Sequence, residues 1–119
     1  MKVSLSKFAI LLLLISINCG SKEKGEYIEI NKTTSIKNLK KYPYNYLNQI
    51  VKIRGKVVEQ SYYRVWMNIA QSNDAISVDF EDKNLKLPSK LNDEVEVIGR
   101  FTKTQEGFII KGIWVKVIK

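Results

Sequence analysis

The chain has 119 residues, with 20 Lys and Arg against 12 Asp and Glu, no His and one Cys. That length holds one small domain and not two. Without His there is no imidazole base and no imidazole-ligated zinc, and Cys19 alone cannot form an internal disulfide or a Cys-x-x-Cys site.

Residues 1–18 read as a targeting segment. Lys2 and Lys7 make a basic start, and Phe8 to Ile15 is an unbroken apolar run. Only about ten residues, Phe8 to Ile17, are strongly apolar, whereas a bilayer span needs roughly 20. A short apolar run after a basic start predicts an export signal rather than a transmembrane helix. Cys19 stands at the end of that run and is followed by Gly20 and Ser21.

This arrangement resembles the signal of bacterial lipoproteins, which place an obligatory Cys directly after the cleavage site. The family prefers Ala or Gly before the Cys; Asn18 stands there instead, as in the looser signals of spirochaetes. The resemblance implies a thioether-linked diacylglycerol on Cys19, cleavage before it, and a further acyl group, palmitate among the candidates. Two or more chains suffice for stable anchoring in a membrane. It also implies residence at the cell membrane or outer membrane, facing the periplasm or the cell surface. The mature chain, 19–119, keeps an excess of basic residues. Outside the cytosol, such a surface meets anionic head groups, acidic glycans or acidic proteins more often than nucleic acid.

Residues 19–34 are polar apart from Tyr27, Ile28 and Ile30, and read as a tether. As a flexible coil its ends would lie about 20 Å apart. Tyr27 to Ile30 is a candidate short edge strand. The domain proper is expected over 35–119. Ser35 is a candidate cap, Ile36 and Leu39 fall at helical spacing, and Pro43 ends the helix.

From Ile50 the period becomes two. Val51, Ile53 and Val57 alternate with Lys52, Arg54 and Lys56 in a first strand, with Gly55 as a bend. Val65 to Ile69 makes a second strand, with Val65, Met67 and Ile69 on one face. Ser72-Asn73-Asp74 turns the chain into a third, where Ile76, Val78 and Phe80 alternate with Ser77 and Asp79. Glu81 to Asn92 connects to a fourth strand carrying Val95, Val97 and Phe101, bent at Gly99. A fifth runs from Phe108 to Ile118. It is apolar on both faces, and its period slips at Gly112, as at a bulge.

Five short strands with Gly bends predict an all-β fold, a small closed five-stranded barrel of OB type with a short N-terminal helix; an SH3-like barrel shares the strand count. Tyr46 to Val58, with its alternation running into Gly55-Lys56-Val57, resembles the opening strand of tRNA-anticodon-like OB lipoproteins. A second, uncharacterised exported family is similar over 51–101. It shares Gly55 to Val58, the Trp66-Met67 pair, the Ile76 to Phe80 strand, Pro88, and Val95 to Gly99. Its members often carry Cys beside the Trp-Met pair; this chain has none, so no thiol or metal role carries over.

OB barrels bind ligands on the outer face of their second and third strands, between two loops. Here that face carries Trp66, Asn68, Ser77 and Asp79, the first loop Tyr62, Tyr63 and Arg64, and the second Lys103. A Trp beside two Tyr and an Arg would stack a sugar or a base; the alternative is that Trp66 packs under the helix or against Trp114. Lys52, Arg54 and Lys56 would follow phosphates or form a solvated face, the commoner case. Asp79, Glu81 and Asp82 have neither a nucleophile nor calcium-loop spacing beside them. The sequence thus predicts a non-catalytic, lipid-anchored binding module without cofactor or metal. Its partner would be an envelope ligand, glycan or protein; nucleic acid is the alternative.

Overall fold

The computed structural model describes residues 22–61, 65–80 and 87–119. Its strands are β1 (Glu23–Gly25), β2 (Ile50–Gln60), β3 (Trp66–Gln71), β4 (Asp74–Phe80), β5 (Glu94–Thr104) and β6 (Gly107–Val117). Helix α1 (Ile36–Lys41) and a 3-10 turn (Pro43–Asn45) precede β2. The sheet order is β1-β6-β4-β3-β2-β5, and β5 pairs back onto β6. Strands β2 to β6 therefore close into a five-stranded barrel. All their pairings are antiparallel except β4 with β6. This is the expected all-β barrel of OB type.

Alternation along the strands builds the interior, because neighbouring side chains face opposite sides. Val51, Ile53 and Val57 of β2, Met67 and Ile69 of β3, and Ile76, Val78 and Phe80 of β4 point inward. Val95, Val97 and Phe101 of β5 and Ile110 and Val115 of β6 complete the set. The barrel end is plugged by α1, whose Ile36 and Leu39 are fully buried. Ser35 caps that helix as expected, its Oγ accepting from the Asn38 N–H at 3.1 Å. Ser35→Ala is expected to lower the melting temperature by removing about 1 kcal/mol, with the barrel unchanged by circular dichroism.

The expected slip in β6 is a bulge one residue past Gly112. Ile98 pairs with Trp114 while Gly99 pairs with Gly112, which leaves Ile113 without an opposite number on β5. Gly112 admits no side chain, since a Cβ there would lie 2.6 Å from the Phe80 ring. After the bulge Val115 faces the core, and Trp114 turns outward opposite Ile98. Both are buried, yet they stand apart from the inner cluster. Something on the outer face must cover them.

The cover is the segment expected to be a free tether, and here the structure corrects the sequence reading. Residues from Lys22 onward lie along the barrel. The edge strand is Glu23–Gly25 rather than Tyr27 to Ile30, and it pairs with Trp114 to Lys116 of β6. Glu23 Oε1 accepts from the Trp114 indole N–H at 2.6 Å. Tyr27 meets the Trp114 ring edge-on, 5.0 Å between centroids. Further along, Thr34 N–H donates to the Lys52 carbonyl. The physical reason is the buried Trp114: an indole on the outer face needs both an apolar neighbour and a hydrogen-bond acceptor. The proposed cleavage site and Cys19 lie outside the described residues.

A candidate ligand groove on the outer face of β3 and β4

The outward side chains of β3 and β4 meet in pairs, Trp66 opposite Asp79 and Asn68 opposite Ser77. Trp66 is 37% exposed. It faces away from Met67, which is fully buried, so the predicted register holds; it lines the groove, while the Trp114 ring meets Tyr27. Ser77 Oγ donates to Asn68 Oδ1 at 2.6 Å, and Asn68 Nδ2 donates to Glu59 Oε1 at 2.9 Å. The three side chains form a fixed polar row beside the indole.

Glu59 is a groove residue the sequence reading missed. Strict alternation would put it on the same side as Val57, inside the barrel. The register of β2 against β3 shifts between Val57, opposite Ile69, and Glu59, opposite Asn68. Val58 is the extra residue of that bulge, and the shift turns Glu59 outward. Two consecutive Val residues were the only trace of it in the sequence.

Glu106 and Ile109 close the groove from the β5–β6 hairpin, giving a shallow cavity of about 460 Å³. Among the described residues its charged lining is acidic: Glu59, Asp79 and Glu106. Lys111 Nζ approaches Asp79 at 3.9 Å from the adjoining strand.

The other predicted residues fall as follows. Tyr62, Tyr63 and Arg64 lie outside the described residues. The residues that bracket them are anchored beside Trp66: Ser61 Oγ accepts from the Val65 N–H at 3.0 Å, and Ser61 N–H donates to the Trp66 carbonyl. Lys103 is not brought to the groove. It shares the parity of Phe101, and therefore the inner side of β5, and extends past the barrel end. There its Nζ donates to the Tyr44 hydroxyl at 3.2 Å and lies over the Tyr44 and Phe108 rings. Glu81 and Asp82 lie outside the described residues, and among the described residues no cluster of metal-ligating side chains occurs.

The basic row of β2 is largely compensated. Arg54 Nη2 donates to Glu96 Oε2 at 2.9 Å. Lys56 stands opposite Glu94, and Lys52 opposite Ile98. Arg54 is thus answered across the ladder and Lys56 lies beside an acidic residue, as on a solvated face, whereas Lys52 has an apolar residue opposite it.

No family model and no curated protein matches the sequence. Solved structures do match. The hypothetical protein ygiW from E. coli is 19% identical with a TM-score of 0.56, over 80% of this chain and all of that one. A protein described as an aspartyl-tRNA synthetase from Leishmania major is 10% identical with a TM-score of 0.62, over 81% of this chain and 22% of that one. The telomere capping protein Ten1 from Saccharomyces pombe is 19% identical with a TM-score of 0.51, over 72% and 79%. At such identities the likeness is one of fold, and these neighbours are OB-fold proteins.

Proposed function

We propose that the protein is a lipid-anchored envelope module that binds its partner in the Trp66 groove without chemical conversion. The carrying observation is the exposed indole beside the hydrogen-bonded row Ser77, Asn68 and Glu59. An aromatic face next to pre-positioned amide and carboxylate groups stacks a ring or an apolar stem and bonds its polar edge. The groove's carboxylates oppose a polyanion, since nucleic-acid affinity depends on neutralising phosphates. They favour a neutral, hydroxyl-bearing or cationic group instead. Fold likeness to Ten1 or to a synthetase domain does not alter that, because one fold hosts many ligands.

The anchor is tested in cells fed an alkyne analogue of palmitate. The wild-type protein is expected to take up label and to enter the detergent phase, and Cys19→Ala to do neither. Label that survives Cys19→Ala would overturn the lipid reading.

A further inference from the structure

We infer that docking of β1 holds one pole of the barrel against the lipid surface and points the β5–β6 hairpin, with the far end of the Trp66 groove, away from it. The inference rests on the lipid reading of Cys19 and adds to it an orientation and a lipid-facing surface.

The first premise is where the described chain begins. The Val117 N–H donates to the Lys22 carbonyl at 3.0 Å, so the chain is already fastened to the barrel at Lys22. Only Gly20 and Ser21 stand between Lys22 and Cys19. Three Cα-to-Cα steps reach about 11 Å at most. An anchor on Cys19 thus leaves the barrel little freedom to tumble, in contrast to a free coil of residues 19–34.

The second premise is the composition of that pole. Hydrogen bonds gather its parts: Glu94 N–H to the Lys119 carbonyl, Asn92 N–H to the Val57 carbonyl, and Val57 N–H to the Asp93 carbonyl. Lys22, Lys24, Lys90, Lys116 and Lys119 are all exposed there. Leu91 and Val58 are among the exposed large apolar side chains, at 58% and 49%. The acidic groups of the pole are fewer and partly engaged. Glu23 holds the Trp114 indole, Asp93 accepts from the Lys90 N–H at 2.8 Å, Glu96 holds Arg54, and Glu94 lies opposite Lys56. A basic rim around protruding apolar side chains complements an anionic membrane surface, where lysines gain from the surface potential.

The third premise is the position of the β5–β6 hairpin. β5 runs ten strand steps from Glu94 to Thr104, about 30 Å along the strand, and Glu106 lies two residues further, at the hairpin tip. With Glu94 at the membrane, the hairpin belongs to the distal half of the barrel, and the groove runs from Glu59, beside the pole, to Glu106 and Ile109 on the aqueous side.

Gly25 supplies the test. Its φ is +97°, and a Cβ there would sit 2.1 Å from the Ile113 carbonyl oxygen. Gly25→Val is thus expected to lift β1 from β6 while leaving every inner core residue in place. A Gly-Ser insertion between Ser21 and Lys22 lengthens the link without touching the barrel, and serves if Gly25→Val folds poorly. The acylated full-length protein is placed in phosphatidylcholine vesicles with a fluorophore on Lys119→Cys or, separately, on Gln105→Cys. Head-group quenchers are expected to dim the first probe and spare the second. Gly25→Val and the insertion are each expected to abolish that contrast. Adding phosphatidylglycerol is expected to strengthen it in the wild type, and high salt to reverse the gain. Equal quenching of both probes, or a contrast that both variants leave intact, overturns the orientation. Intact mass of the same preparation separates the two readings: an unmodified Cys19 overturns the lipid anchor, and the orientation with it.

Discussion

Trp114→Ala is expected to cost about 3–5 kcal/mol in urea unfolding, as large-to-small changes at buried aromatics do. The indole is 2% exposed, although it lies on the outer face of β6 and away from the main core. Its loss would also orphan the Glu23 carboxylate, which accepts its N–H, and remove the ring that Tyr27 contacts. The distinctive readout is hydrogen exchange. In Trp114→Ala the amides of Glu26 and Thr34 should diverge. Glu26 N–H donates to the Ile113 carbonyl beside the indole and should exchange fast. Thr34 N–H donates to Lys52 on β2 and should stay protected. Uniform protection of both amides in the variant would show that Trp114 does not hold the segment. Trp114→Phe keeps most of the apolar area but not the N–H. Its cost relative to Trp114→Ala separates packing from the Glu23 hydrogen bond.

The barrel was legible because its signal is local and repeated. Val51, Ile53 and Val57, then Met67 and Ile69, then Ile76, Val78 and Phe80 each obey a period of two, and all of them are inside. Ser35 and Pro43 bounded α1 for equally local reasons, capping and the loss of a donor. The partner of residues 22–34 was not legible, because what recruits them is a side chain some 90 positions away. The doubly apolar pattern of β6 did carry a hint. A strand with Ile113, Trp114 and Val115 in succession needs cover on both faces, and the polar N-terminal segment with its Tyr27, Ile28 and Ile30 was a candidate to supply it. The groove was half legible. Trp66, Asn68, Ser77 and Asp79 follow from parity, but Glu59 reaches the outer face only through the bulge at Val58. Lys103 shows the converse error. Proximity to the hairpin loop suggested a place at the groove, whereas its parity with Phe101 assigns it to the barrel mouth, over Phe108 and Tyr44. Position relative to a loop is a weaker guide than the face of the strand.

Met67→Ala and Trp66→Ala, neighbours on one strand, are expected to part company completely. Met67 is fully buried among Ile69, Val78 and the rest of the inner cluster, and its sulfur receives the Ser89 hydroxyl at 3.7 Å. Truncating it leaves a cavity and should cost about 2–5 kcal/mol. Ser89 is itself buried and keeps Gln60 Oε1 as an acceptor at 2.9 Å, so the variant should lose packing without leaving that hydroxyl unpaired. Trp66 is 37% exposed and opposite Asp79. Its backbone bonds to Ser61 do not depend on the indole, so Trp66→Ala should cost within about 1 kcal/mol. Its effect belongs to binding, because exposed aromatics in a groove tend to be anchors whose loss weakens capture. Thermal melts and recovery of partners from envelope extract, run on both variants, read the two effects separately. Trp66→Ala should melt at most a few degrees below the wild type and lose the captured species. Met67→Ala, assayed below its melting temperature, should keep them. If Trp66→Ala melts as low as Met67→Ala, the indole is a packing residue and the groove has no anchor. If it melts normally and still captures the same species, recognition lies elsewhere on the barrel. Asn68→Ala then discriminates further: it breaks the row between Ser77 and Glu59 while sparing the indole, and a loss of capture there would assign recognition to the polar row alone.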